Sequence, residues 1–368
     1  MGLLGLSGCG SPSSASVEMS SQTELVKTGS MELQYAENFA VDYYEDGYKM
    51  LTTLPDSKRY LIVPEGQPVP RGLDEDVSIL QEPLQNIYLV ASGVMDMFAS
   101  VDAVDQIRFS GQKQENWYIQ TAKDAMAAGD MIYAGKYSKP DYELLVSEGC
   151  DLAIENRMIT HSPEVVEMLQ SFDIPVMIEY SSYEQHPLGK VEWVKFFGAL
   201  TGKEAEAEEA FAEQTEILEK VESGEKTGKT IAFFYVTSNG LIQVRQSTDY
   251  IPKLIELAGG RYIFEDLEDS GSGRSTLNMQ VEDFYAGAKD ADILIYNSSI
   301  DGGVTTLDEL IGKCNILKDF KALQEGQVYC TTNDMYQQSM AIGYLLQDMH
   351  TVLTDDDTAK LRYLFLLQ

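Results

Sequence analysis

Short apolar runs and amphipathic stretches alternate along most of the chain. Residues 86–91 (NIYLVA) form an apolar run of strand length, and after Ser92-Gly93 the residues Val94, Met97, Phe98 and Val101 fall at helical spacing, so the segment reads as strand, turn and helix. The unit recurs. Residues 106–109 read as a strand; a helical pattern at 142–148 runs into apolar residues 151–154, and another at 165–172 runs into 175–178. Helices alternating with short apolar strands predict a parallel sheet covered on both faces. Upstream, residues 32–54 are rich in aromatic and β-branched positions interrupted by Glu45-Asp46-Gly47, which predicts two adjoining strands joined by a tight turn.

Between 201 and 223 the residues Ala207, Ala210, Phe211, Gln214, Leu218 and Val221 share one face, predicting a single long amphipathic helix. Thr201 and Glu204 have the spacing of a capping box, and Gly224 stands where a closing glycine is expected. The alternation then resumes with a strand at 230–236 (TIAFFYV), a helix at 250–258, a strand at 291–296 (ADILIY) and a helix at 307–311. The expected fold is α/β: two Rossmann-like lobes with mainly parallel sheets, one at 31–200 and one at 225–368, joined by one long connecting α-helix at 201–224.

Length agrees with two lobes, since 368 residues exceed the roughly 150 of an ordinary domain. With 44% hydrophobic residues and 23% charged, the composition is that of a globular protein, and no internal apolar run approaches the roughly 20 residues of a membrane-spanning helix. Asp and Glu number 59 against 27 Lys and Arg, a formal charge of −32 that repels nucleic acid and anionic lipid headgroups. Cys9, Cys150, Cys314 and Cys330 have no zinc-binding spacing, and His161, His186 and His350 are too scattered to build a multi-histidine metal site.

Residues 1–10 read MGLLGLSGCG, and a Ser-rich stretch follows. Leu6-Ser7-Gly8-Cys9 resembles a bacterial lipobox, which implies cleavage before Cys9, lipidation of its thiol and a flexible tether up to residue 30. The expected location is extracytoplasmic, held to the cell membrane by the lipid anchor. The apolar run is short and lacks preceding basic residues, as expected if the true translation start lies upstream.

Several local patterns occur together in a fixed order. Residues 135–143 (GKYSKPDYE) precede Cys150-Asp151-Leu152-Ala153-Ile154; Pro187-Leu188 and Trp193 precede 197–204 (FGALTGKE); Ala258-Gly259-Gly260 precedes Gln280-Val281-Glu282 and Asp290-Ala291-Asp292-Ile293. In this order the chain resembles the substrate-binding proteins of bacterial ABC importers, of the class that captures ferric siderophores, haem or cobalamin. Cys150 departs from the proline usual there, and the hairpin near residue 45 is additional. The resemblance implies a monomer without catalytic activity or resident cofactor, whose partners are an ABC permease with its ATPase and a small-molecule ligand, a ferric siderophore first, haem or a corrinoid as alternatives. It also implies that Glu143 and Glu282 face permease arginines.

Ligands of open α/β sheets bind beyond the carboxyl ends of the strands. That rule nominates Ser92, Trp117, Tyr118, Asn156 and Arg157 from the first lobe, and Thr237, Arg245, Arg274, Asn297 and Tyr336 from the second. Arginines there suit carboxylate or catecholate oxygens, and aromatic rings suit a flat ligand. Met95 and Met97 have haem-ligating sulfurs, but Met97 shares the apolar helical face with Phe98 and reads as core. An enzyme is the main rival. The chain has no GxSxG elbow, P-loop or strand-borne GxGxxG, and Gly271-Ser272-Gly273 lies in a polar stretch. A surface sensor and a zinc or manganese binder are further rivals, the latter disfavoured by scarce histidine.

Overall fold

The computed structural model describes residues 25–267, 275–298, 303–354 and 358–368. Among them, the stretch read as one N-terminal lobe holds two five-stranded sheets and a two-stranded one. The first contains β1 (Lys27–Ser30), β2 (Phe39–Tyr44), β3 (Lys49–Thr53), β4 (Lys58–Val63) and β5 (Val77–Gln81) in chain order, antiparallel except for the parallel β4–β5 pair. Asp46 and Gly47, at φ 58° and 83°, supply the left-handed backbone that turns β2 into β3. Strand periodicity gives the sheet two apolar faces. Phe39, Val41, Leu51, Tyr60 and Ile62 enter the main core, while Tyr48, Met50, Leu61 and Val63 form a smaller cluster on the other side.

The second sheet is wholly parallel in the order β12-β11-β6-β7-β8, built from β6 (Ile87–Leu89), β7 (Ile107–Ser110), β8 (Ile132–Tyr133), β11 (Leu152–Asn156) and β12 (Val176–Glu179). A small hairpin of β9 (Gly135–Lys136) and β10 (Lys139–Pro140) projects beside it. Its helices are α1 (Val94–Ser100), α2 (Gln120–Ala128), α3 (Tyr142–Ser147) and α4 (Pro163–Ser171).

Two consecutive helices, α5 (Pro187–Thr201) and α6 (Glu204–Glu222), lead to the second lobe. The expected capping box does not form. Gly202, at φ 72°, closes α5, so Thr201 is the last residue of that helix and its hydroxyl donates back to Phe197 O, while Glu204 takes the Lys49 ammonium at 2.8 Å. Gly224 adopts no left-handed conformation either; its packing against His350 and Val221 leaves no room for a side chain.

The C-terminal sheet has a parallel centre with antiparallel strands at its edges. Its order is β16-β14-β13-β17-β18-β19, with β15 beside β13, from β13 (Thr230–Val236), β14 (Ile242–Arg245), β15 (Arg261–Tyr262), β16 (Thr276–Met279), β17 (Ile293–Tyr296), β18 (Val328–Thr331) and β19 (Leu364–Leu366). The β13–β15, β13–β17 and β17–β18 pairs are parallel; β13–β14, β14–β16 and β18–β19 are antiparallel. Here α7 (Tyr250–Leu257), α8 (Val281–Ala288), α9 (Leu307–Lys313), α10 (Lys321–Gln324) and α11 (Ile342–Thr354) complete the fold. One apolar core runs without a break from the N-terminal sheet through α1, α5 and α6 to α7 and α11.

Buried carboxylates fasten the extra sheet to this core. Glu192 on α5, fully buried, accepts the backbone N–H groups of Gln34, Tyr35 and Ala36 at 2.8 to 3.1 Å and is balanced by Lys195 at 3.5 Å. Glu184 accepts those of Glu37 and Asn38 together with the Trp193 indole N–H. A charge buried in this way is held because donors replace the water it has lost.

Candidate functional site

The carboxyl ends of β6, β11 and β12 deliver Ser92, Asn156, Arg157 and Tyr180 to one edge of the first lobe, and those of β17 and β18 deliver Asn297 and the 332–341 segment in the second. The lobes meet along that segment. Gln337 clasps the first lobe: its amide oxygen accepts Tyr118 N–H at 2.8 Å and its amide nitrogen donates to Asn116 O at 2.8 Å. Asp96 on α1 accepts Met340 N–H at 2.8 Å. At Gly93 a Cβ would stand 3.0 Å from Ser339 Oγ and 3.3 Å from Tyr336 O, so the Ser92-Gly93 turn abuts the Tyr336 segment.

Three second-lobe nominees converge. The Tyr336 phenol oxygen accepts hydrogen bonds from the Arg245 guanidinium and from Asn297 Nδ2, the latter at 2.7 Å. Arg245 is buried, lies 5.7 Å from the Phe233 ring centre and 5.6 Å from that of Tyr336, and pairs with Asp249 at 3.4 Å. It therefore positions Tyr336.

Beneath this cluster lies a charge group that periodicity did not single out. Lys190, buried on α5, places its ammonium 4.8 Å from the Tyr250 ring centre and lowers the proton affinity of Asp96, Glu179 and Asp249 around it. Burial outweighs that help. Asp96 is pushed up to about 6, and Glu179 and Asp249 are also raised. The available signal was a lysine inside a helix otherwise composed almost wholly of core residues.

On the outer edge Arg157 lies 4.4 Å from the Tyr183 ring centre, and Met158 is half exposed beside it. Asn156 uses its side-chain oxygen to cap Met158 N–H, and the exposed Tyr118 ring has Lys123 5.9 Å away.

Other nominees stand elsewhere. Trp117, expected in the cleft, is 1% exposed and donates its indole N–H to Ser110 Oγ; a large ring following β7 fills the first-lobe core instead. The Thr237 hydroxyl is used within the β13–β14 turn, accepting Leu241 N–H and donating to Leu241 O. Met95 and Met97 are fully buried core residues. Glu143 and Glu282 are both exposed and occupy the same place, the second residue of α3 and of α8. Cys9 and Arg274 lie outside the described residues. No helix among the described residues is long and apolar enough to cross a membrane.

No protein-family model matches the chain. Two uncharacterized lipoproteins of Methanocaldococcus jannaschii are each 24% identical to it, over 353 residues (87% of this chain, 81% of that protein) and 322 residues (84% and 79%). Among solved structures, a possible iron-binding periplasmic solute-binding protein of Staphylococcus epidermidis aligns with a TM-score of 0.57 at 16% identity, covering 73% of this chain and 98% of that one. A periplasmic heme-binding protein of Vibrio cholerae gives 0.57 at 14% with the same coverages. An ABC-type Fe3+-hydroxamate transport protein of Saccharomonospora viridis gives 0.55 at 16%, over 73% of this chain and 93% of that one. The chain has the two-lobed α/β fold of these solute-binding proteins, with a further portion that they lack.

Proposed function

We propose that this chain is the extracytoplasmic substrate-binding component of an ABC importer, lipidated at Cys9, that captures a metal complex between its lobes and hands it to a permease. The observation that carries the reading is the convergence of Arg245, Asn297 and Tyr336 in one lobe, on a segment whose backbone at Tyr336 abuts the Ser92-Gly93 turn of the other. Such a site binds and orients: it offers a phenol and an amide for hydrogen bonding, with Arg157 at its outer edge. The fold of the solved neighbours supports it.

A ferric siderophore is the first ligand class. In a molecule of net charge −32, Arg157 at the open edge of the site gives an anionic chelate local attraction. Titration calorimetry of the purified chain with ferric catecholate, ferric hydroxamate, haem and cobalamin tests this. Submicromolar binding of one ferric chelate at one per chain, weakened in Arg157→Ala, is the expected result. Tight cobalamin or haem binding indifferent to Arg157 moves the ligand to that class. Absence of all four, with turnover of some substrate, overturns the transport reading.

A further inference from the structure

The N-terminal sheet lies along the open edge of the first lobe. Tyr60 on β4 donates its hydroxyl to Val176 O at the start of β12, at 2.9 Å. At the other end of β12 the turn from β3 to β4 brings the Asp56 carboxylate to the Tyr180 phenol. The sheet is thus aligned with β12 so that its 54–57 turn stands at the same strand ends that present Asn156 and Arg157. Tyr180 joins the two regions: its ring meets Tyr183 at 6.5 Å, and Tyr183 in turn lies against Arg157. Leu54 is tied to the same place, since its N–H donates to Asn38 O and Asn38 N–H donates to Glu184 next to Tyr183.

Leu54, Met158 and Tyr183 are large apolar side chains left exposed here, on three different elements. They line the edge where Arg157 lies against the Tyr183 ring, with the Asp56 and Glu184 carboxylates held there by Tyr180 and by backbone N–H groups. Resting on the binding-protein reading, we propose that the 54–57 turn is a third wall of the ligand site, and that Leu54, Tyr183 and Arg157 hold the outer part of an anionic metal chelate with apolar or aryl arms. A two-walled cleft grips the centre of such a ligand; this ledge discriminates among its peripheries.

The test uses the full chain and its Leu54→Ser, Tyr183→Ser and double variants, with Met168→Ser, another exposed apolar residue on α4, as the control. Affinities for ferric tris-catecholate and ferric trihydroxamate complexes are measured by calorimetry. The chelate bound tighter by wild type should lose threefold or more in Leu54→Ser and tenfold or more in the double variant, with unchanged melting temperature and an unchanged control. Leu54→Ser is decisive because it does not touch Arg157. Variants that bind as wild type does overturn the third wall while leaving the binding-protein reading intact. A wild type that binds neither chelate, nor haem nor cobalamin, overturns that reading and the wall with it.

Discussion

The ammonium of Lys190, on the first lobe, lies 4.8 Å from the ring centre of Tyr250, on the second. The contact sits where the lobes join, and Asp96 on α1 and Asp249 at the start of α7 share the cation's field from opposite lobes. Lys190→Met should therefore destabilise the protein by roughly 3 kcal/mol, the scale for carboxylates left buried without their cation. Adding Asp96→Asn should recover part of the loss. Urea denaturation of the single and double variants measures the coupling; strictly additive losses would show that the two groups act independently.

Gln337 spans the lobes by two hydrogen bonds from one side chain, to Tyr118 N and Asn116 O. Gln337→Ala strands both backbone groups, a cost of about 1–3 kcal/mol. Small-angle scattering of the ligand-free variant should give a larger radius of gyration than wild type, with weaker ligand binding alongside. An unchanged radius and affinity would mean that the remaining contacts suffice to hold the lobes.

Glu155 on β11 is fully buried, and among the described residues neither carboxylate oxygen has a hydrogen-bond partner. Burial alone pushes it up to about 8. An unfolded glutamate titrates near 4.5, so unfolding releases a proton between those values, and stability falls as pH rises from about 4.5 to about 8. The full cost is roughly 3 to 5 kcal/mol. Glu155→Gln removes that dependence. It should be no better than wild type at pH 5 and clearly more stable at pH 9 in urea unfolding; parallel curves at the two pH values would contradict the neutral carboxyl.

Glu143 and Glu282 occupy equivalent first-turn positions on α3 and α8, one in each lobe. If they meet permease arginines, Glu143→Ala and Glu282→Ala should leave ligand affinity unchanged, cut uptake severalfold each and more when combined. Each exposed pair contributes only about 1 kcal/mol, so the double variant is the sensitive one. Loss of ligand binding in either single variant would place these residues in the site instead.

The sequence by itself determined the alternation of helices and strands, because periods of 3.6 and 2 residues are local properties that burial on one face enforces. It also nominated Arg245, Asn297 and Tyr336 separately, through the rule that ligands bind beyond strand ends. Their convergence on one phenol oxygen was decided by the tertiary structure, since they come from β14, β17 and the segment after β18. Local spacing misled where two signals competed. The T-x-x-E pattern at Thr201 lost to Gly202 closing the preceding helix, whereas the same pattern at Thr306 and Glu309, unread, forms a capping box. Trp117 followed a strand end as a cleft residue would, but the first-lobe core had space for its ring. Only the fold could bring Lys190 among Asp96, Glu179 and Asp249, or stand Asp56 beside Tyr180, because electrostatic and packing partners on separate elements leave no periodic trace in the chain; their proximity exists only once the apolar faces have been buried against one another.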